Sequence, residues 1–463
     1  MMALPQKIFV AVCTLALGAC AHYPVNERLV SLAPDEGYRF TNLDASDEAD
    51  SLFVILTFSG GGTRAAAFSY GVMERLAAET IMVNGKAKRL LDEVDVISSV
   101  SGGSFTAAYY GLFGDALFEE FKNRFLYRNV QSALILRILN PLNWFQLASS
   151  TYDRIDLAAE YYDKTIFDRQ RYSRLVESGR RPFIILNATD IGTGSRFEFT
   201  QSQFDWLYSD LSQFGVARAV AASSAFPGLL SPVRIRNYEN PPAAGGEDEP
   251  QFKGEPQWLE EAINDADRVD PRFFRAREIA TYTRDPNRPF IHLMDGGLTD
   301  NIGLRGPLWA MQSNDSSWSL LDRMNNGKID TLLVISVDAK PVTRSAINTR
   351  ENAPGLIKVL GAVTSTPLEN LSGDTVLDFH TSFDQWRKDQ LAAEDAGMEV
   401  QKVDYYDVHI GFEEVVDPEL RDKVSSLPTS FHLKRDQVDA LREAADDALT
   451  NSVRFKEFLE AMK

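Results

Sequence analysis

At 463 residues the chain is longer than one small domain needs, and it suits one large α/β domain with insertions or two domains. Hydrophobic residues at 44%, charged residues at 25%, 29 Gly and 20 Pro exclude collagenous, low-complexity and wholly disordered chains. With 48 basic and 66 acidic side chains the net charge is −18, a field that repels phosphate backbones, so no nucleic acid partner is expected and lipid or protein is favoured.

The chain opens on Lys7, an apolar stretch from Ile8 to Gly18, and Leu17-Gly18-Ala19-Cys20, in the order of a secretory signal and its cleavage site. Eleven residues are too few to span a bilayer. The tetrapeptide resembles the lipobox of bacterial lipoproteins, in which the Cys is acylated and becomes the first mature residue. The expectation is a signal peptide over 1–19, a lipidated Cys20 as membrane anchor, and a polar linker over 20–50. Cys13 and Cys20 are the two cysteines, so a mature chain has no pair for an internal disulfide. Ala21 and His22 follow with no Asp, which is similar to lipoproteins sorted to the outer membrane.

Leu52 to Phe58 is a continuous apolar run ending in glycines, the pattern of a strand buried on both faces of a parallel sheet. Similar runs recur at Val94 to Val100, Pro182 to Ala188, Phe290 to Met294 and Thr331 to Val337, with helical periodicity at Ala65 to Ala78 and Leu433 to Leu449. This alternation predicts α/β order with a mostly parallel central sheet. From about 236 to 288 the chain is polar and rich in Pro, Gly and Glu, the composition of a surface insertion within a domain covering 51–463.

Three turns carry chemistry-bearing residues. The first strand runs into Ser59-Gly60-Gly61-Gly62-Thr63-Arg64 and a helix, which leaves bare N–H groups beside a helix N-terminus, suited to an oxyanion or a phosphate. GxGxxG and GxxxxGK[ST] spacings are absent, which argues against a dinucleotide site or a P-loop. The next strand delivers Ser101 into Gly102-Gly103-Ser104, matching a nucleophile elbow in which Ser99 replaces the first Gly of GxSxG. Later, Asp295-Gly296-Gly297 ends a strand with a carboxylate free to approach another group closely, as a general base must. Each alone is also an ordinary turn.

Taken in this order, GGGTR, SGGS and DGG resemble the patatin-like phospholipase family, and Ala219 to Pro227 is similar to its segment of small residues ending in Ala-x-Pro. The resemblance covers about Leu52 to Val337. It implies a three-layer α/β/α fold and a lipid acyl-hydrolase with a Ser-Asp dyad: Ser101 as nucleophile, Asp295 as base, and Gly60, Gly61 and Gly62 as the oxyanion loop. Arg64 could support that loop, face a lipid phosphate, or make a structural salt bridge. The substrate class implied is phospholipid or another acyl-lipid; no cofactor or metal is implied.

Ala133 to Phe145 is apolar with an aromatic end, suited to touching membrane or acyl chains, although a buried core helix is the reading preferred here. The five histidines, His22, His292, His380, His409 and His432, lack metal-binding spacing. Two rival functions stand beside the hydrolase: an α/β-hydrolase esterase whose Ser-His-Asp triad His380, His409 or His432 would close, and a catalytically idle envelope scaffold. An idle scaffold has no need of either Ser101 or Asp295.

Overall fold

The computed structural model describes residues 21–30, 33, 35–43, 51–238, 256–265, 268–313, 318–326, 329–341, 356–398 and 400–463, with the backbone alone over 356–371. The signal peptide with Cys20, residues 31, 32, 34 and 44–50 of the linker, and 239–255 and 266–267 of the polar stretch lie outside the described residues.

The main sheet has eight strands: β1 (Leu52–Phe58), β2 (Val94–Val100), β3 (Phe183–Asp190), β4 (Ser195–Glu198), β5 (Val233–Arg236), β6 (Phe290–Asp295), β7 (Thr331–Asp338) and β8 (Asp404–Gly411). Their order is β8-β7-β1-β2-β3-β6-β5, with β4 paired to β3 off this path. The five strands from β8 to β3 are parallel, while β4, β6 and β5 join through antiparallel pairs. The sheet is thus mixed and mostly parallel. All seven residues of β1 and of β2 are buried, as continuous apolar runs in a sheet covered on both faces require.

The helices that position the site are α1 (Thr63–Ala78), α2 (Gly102–Phe113), α3 (Val130–Leu139), α4 (Pro141–Leu147), α5 (Val216–Ser223), α6 (Arg305–Gln312), α7 (Leu356–Asp395) and α8 (Arg435–Asn451). On one face α8 packs on α1, α1 on α2, and α2 on α5. Elsewhere α6 packs against α7. Successive residues of β3 serve the two faces, because strand side chains alternate. Ile184 meets α2 at Gly111, where a Cβ would lie 2.6 Å from Ile184 Cγ1. Phe183 turns the other way, its ring 4.9 Å from Tyr38 and 5.9 Å from Phe40. The result is the expected three-layer α/β fold.

Two sequence readings change. The described part of the polar stretch 236–288 contains helices Gln257–Asn264 and Pro271–Thr283, which bury Leu259, Ala262, Ala276 and Ile279 in a small apolar cluster of their own. The stretch Ala133 to Phe145 is not one buried helix. Asn140 adopts φ −70°, ψ 119°, the extended backbone favoured before proline, and caps a new helix with Pro141 at its first position. Val130 and Leu134 are buried, whereas Ile135, Leu136, Leu139, Leu142 and Trp144 are exposed.

Candidate active site

The site forms where the parallel and antiparallel parts of the sheet meet. β2 ends at Val100 opposite Asn187 of β3, and β6, running against β3, ends at Asp295 opposite Ala188. Two strands of opposite direction therefore stop within one residue of the same level on the strand between them. The chain turns out of β2 at Ser101, with φ 48° and ψ −115°, a strained conformation for a residue with a side chain, and α2 begins at once. This places Oγ beside the C-terminal end of β6, where it donates a 2.8 Å hydrogen bond to Asp295 Oδ2.

Asp295 is held from its other side by Gly297 N–H, 2.9 Å from Oδ1. Burial of the carboxyl raises its pKa from 3.8 to about 6, with the Gly297 and Ser101 hydrogen bonds opposing that rise. A carboxyl with that value is half ionised near pH 6 and mostly ionised at neutrality, and its carboxylate is a better proton acceptor than that of an exposed aspartate. Gly296 leaves no alternative at its position, since a Cβ there would sit 2.3 Å from Asn187 O.

The glycine loop lies against the elbow. A Cβ on Gly102 would fall 2.0 Å from Gly62 O, so the two loops touch backbone to backbone. Gly61 and Gly62 have φ of +143° and +63°, which L side chains rarely adopt. The three glycines named from sequence are not equivalent. Gly60 N–H is committed to Asn301 O at 2.9 Å. The N–H groups of Gly61, Gly62 and Gly102 have no partner among the described residues, so they are the donors open to a developing oxyanion. Gly102 was missed in the sequence, although the residue after an elbow nucleophile is a recognised donor position.

A buried serine network, also unread in the sequence, stiffens the elbow. Ser223 Oγ accepts from Ser101 N–H at 2.9 Å and donates to Asn187 O at 2.6 Å. Ser104 Oγ lies 2.9 Å from Ser223 Oγ and donates to Ser99 Oγ at 3.2 Å, and Ser99 Oγ donates to Ile185 O at 3.3 Å. Ser99, which departs from the GxSxG pattern, thus has a hydrogen-bonding use that glycine could not fill.

Arg64 is buried and makes no ion pair among the described residues. Its Nε donates to Ala339 O at 2.9 Å and Nη1 to Leu427 O at 2.7 Å, tying α1 to the end of β7 and to the loop before α8. Burial lowers its pKa to about 10, opposed by Asp338. Of the three sequence readings, the salt bridge is absent; the guanidinium is mainly a brace, with Nη2 3.3 Å from where a Gly61 Cβ would be.

A cavity of about 400 Å³ opens above Ser101 and Asp295. Gly60, Gly61, Gly62, Asn301 and Ser224 form polar parts of its wall; Phe226, Pro227, Leu229, Leu298 and Phe431 form an apolar side, with Gln131 and Lys340 beside them. None of the five histidines lines it. His380 instead pairs with Asp407 at 2.7 Å, which raises its pKa, while burial lowers that of His292. An apolar slot with a Ser-Asp pair at one end and free N–H groups beside the serine fits an acyl chain with its carbonyl at the polar end.

Residues 56–308, more than half of the chain, match the family model described as patatin-like phospholipase. No curated protein matches the sequence. Among solved structures, human GIVD cytosolic phospholipase A2 is 13% identical with a TM-score of 0.44, covering 89% of this chain and 62% of its own. The same human protein in complex with methyl gamma-linolenyl fluorophosphonate gives 12% and 0.40, over 100% of this chain and 64% of that one. VipD from Legionella pneumophila gives 10% and 0.34, over 95% and 71%. The chain therefore spans less than two thirds of the human protein's length.

Proposed function

Because the chain belongs to the patatin-like phospholipase family, we propose that it is a serine acyl-hydrolase that releases ester-linked fatty acids from phospholipids or related lipids. The observation that carries this reading is the 2.8 Å hydrogen bond from Ser101 Oγ to Asp295 Oδ2 at the base of the apolar cavity. In the proposed reaction Ser101 Oγ attacks the ester carbonyl carbon while its proton passes to Asp295 Oδ2. The carbonyl oxygen becomes an oxyanion facing the N–H groups of Gly61, Gly62 and Gly102. Collapse expels the lipid alcohol, which takes the proton from Asp295, and leaves the acyl chain on Ser101. Water then attacks the acyl-enzyme with Asp295 again accepting a proton; the acyl carbon–Oγ bond breaks, Asp295 returns that proton to Ser101 Oγ, and the fatty acid departs.

The test is a fluorophosphonate label located by peptide mass spectrometry, followed by turnover of a phospholipid panel. Labelling at Ser101, absent in Ser101→Ala and Asp295→Asn, with loss of hydrolysis in both, is the expected result. Normal turnover by a folded Ser101→Ala protein would end the proposal. Single Gln replacements of His292, His380, His409 and His432 should retain most activity, and a loss matching Ser101→Ala in any of them would favour the triad.

The proposal extends to location: a bacterial cell-envelope lipoprotein, held by acylated Cys20 and sorted to the outer membrane. Its support is the Leu17-Gly18-Ala19-Cys20 sequence, and stable attachment requires more than one acyl chain on that Cys. Cys20→Ala should move the protein from the membrane fraction to the periplasm; a wild type that takes up no labelled fatty acid rules the anchor out.

A further inference from the structure

The exposed pair α3–α4 stands out on a chain of net charge −18. Residues 130–147 contain one charged side chain, Arg137, and no carboxylate. Leu136, Leu139, Leu142 and Trp144 are 56–75% exposed; Leu136 and Leu139 stand three residues apart, on one face of α3, and Leu142 and Trp144 follow within five residues, across the joint of the two helices. Trp144 keeps its indole N–H satisfied by Ile138 O at 3.0 Å, so its apolar ring is free to leave water.

Two further observations fix what this surface faces. First, the helix that carries Leu136 and Leu139 starts at the cavity: Gln131, in the first turn of α3, is a cavity-lining residue, and its N–H donates to the carbonyl of Phe431, another. Second, the described chain begins beside it. Ala21 O accepts hydrogen bonds from Ser149 Oγ at 2.5 Å and Thr151 Oγ1 at 3.0 Å, and Tyr23 N–H donates to Thr151 O at 3.0 Å. Ser149 lies two residues past the end of α4. An anchor preceding Ala21 therefore leaves the molecule next to the exposed leucines. The same segment reaches the cavity wall, since Arg154 Nη1 donates to Gly228 O and Ile155 N–H to Ser231 Oγ, in the loop that carries Phe226 and Leu229.

We infer that α3–α4 and the segment around Ala21 form one surface that lies on a lipid bilayer and holds the cavity mouth toward the leaflet that carries the anchor. The inference takes its substrate class from the lipid acyl-hydrolase reading. It adds that docking is chiefly apolar, through leucines that insert below the headgroups, and independent of net charge.

The test uses the full chain carrying Cys20→Ala, so that no acyl anchor masks weaker binding, with and without Leu136→Gln, Leu139→Gln and Leu142→Gln together. All three leucines are exposed, so the fold should tolerate the change. Expected results are co-sedimentation of the parent with phosphatidylcholine vesicles, insensitive to salt, and a drop in partition and in vesicle hydrolysis of about tenfold or more in the triple variant. Turnover of a short water-soluble ester should stay within about twofold of the parent. Equal vesicle partition by parent and triple variant overturns the inference. So does loss of a dimer in sedimentation velocity with vesicle binding unchanged, which would make this face a contact between copies. If neither protein turns over any ester, the hydrolase reading fails while the sedimentation comparison still decides the surface.

Discussion

The cavity floor and the helix pair at its mouth are both built from small and apolar residues, yet they are specified in opposite ways. On the floor each position is forced by contact: a side chain on Gly102, Gly103 or Gly296 would lie 2.0–2.6 Å from a neighbouring atom, and Ser101 and Asp295 are nearly enclosed. At the mouth Leu136, Leu139 and Leu142 are exposed, although Leu134 on α3 is buried, and a helix break at Pro141 separates the two helices that carry them. A floor of this kind holds a reactive geometry at a cost in strain and buried charge, whereas the mouth keeps apolar area uncovered. Substitutions on the floor should therefore change both activity and stability, and single polar replacements of the exposed leucines should change neither the stability of the fold nor turnover of a water-soluble ester.

The largest expected effect is at Asp295. Unfolded, its carboxyl ionises near 3.8; folded, burial raises that to about 6. Between these values the unfolded chain loses its proton first, so the folded state is progressively destabilised as pH rises from about 4 through 6. The separation of about two pH units corresponds to ~3 kcal/mol above pH 6 as an upper estimate. Asp295→Asn should abolish hydrolysis, by about 10⁴-fold or more, yet raise the melting temperature at pH 7.5 by a few degrees and change it little at pH 4. The wild type's kcat/KM should climb as pH passes about 6, where the base ionises. A variant that melts lower at pH 7.5 than the wild type would show that the carboxylate is not a destabilised group.

Next come the glycines. Gly102→Ala places a methyl 2.0 Å from Gly62 O, which only backbone movement relieves, so a loss of at least 10²-fold in kcat and a lowered melting temperature are expected. Gly61→Ala meets no backbone atom closer than 3.6 Å, but its φ of +143° is strained for alanine. It should lower kcat with little change in KM, because these amides face charge that exists only in the tetrahedral state. An unchanged kcat in folded Gly61→Ala removes that amide from the proposed oxyanion site.

How much of this was legible in the sequence follows the same division. β1 and β2 were read with the bounds they have, because strands buried on both faces are written as unbroken apolar runs. The antiparallel part was not, since direction is set by pairing partners and not by composition: Phe290 to Asp295 alternates exposed and buried residues, yet the sequence alone did not reveal that it runs against β3. Ser101 and Asp295 could be named from their strand-end turns. The division of labour among Gly60, Gly61, Gly62 and Gly102 could not, because it depends on Asn301 occupying one amide from a distant segment. The apolar stretch at 133–145 was misread for a related reason. Hydrophobicity reports what a side chain avoids, and whether protein or lipid relieves it depends on the packing around it.

A smaller loss is expected at Ser223→Ala. This leaves Ser101 N–H and Asn187 O unpaired in a buried place, at about 1–3 kcal/mol of stability, and should lower kcat roughly tenfold by loosening the elbow. Ser223→Thr keeps the hydroxyl and should recover part of the activity if the hydrogen bonds matter more than the added methyl.

The smallest effect sharpens the comparison on a single helix. Leu134 and Leu139 both lie on α3, but Leu134 is 2% exposed and Leu139 is 61% exposed. Leu134→Ala deletes packed methyl groups and leaves a cavity, so it should cost about 2–5 kcal/mol of stability in denaturant unfolding. Leu139→Gln removes no contact of that kind and should stay within ~0.5 kcal/mol of the wild type, with unchanged turnover of a water-soluble ester. A cost above about 2 kcal/mol for Leu139→Gln would mean that protein already covers this leucine. The exposed face of α3 would then belong to the core, and the contrast between a floor fixed by contact and a mouth left open would fail at its weaker end.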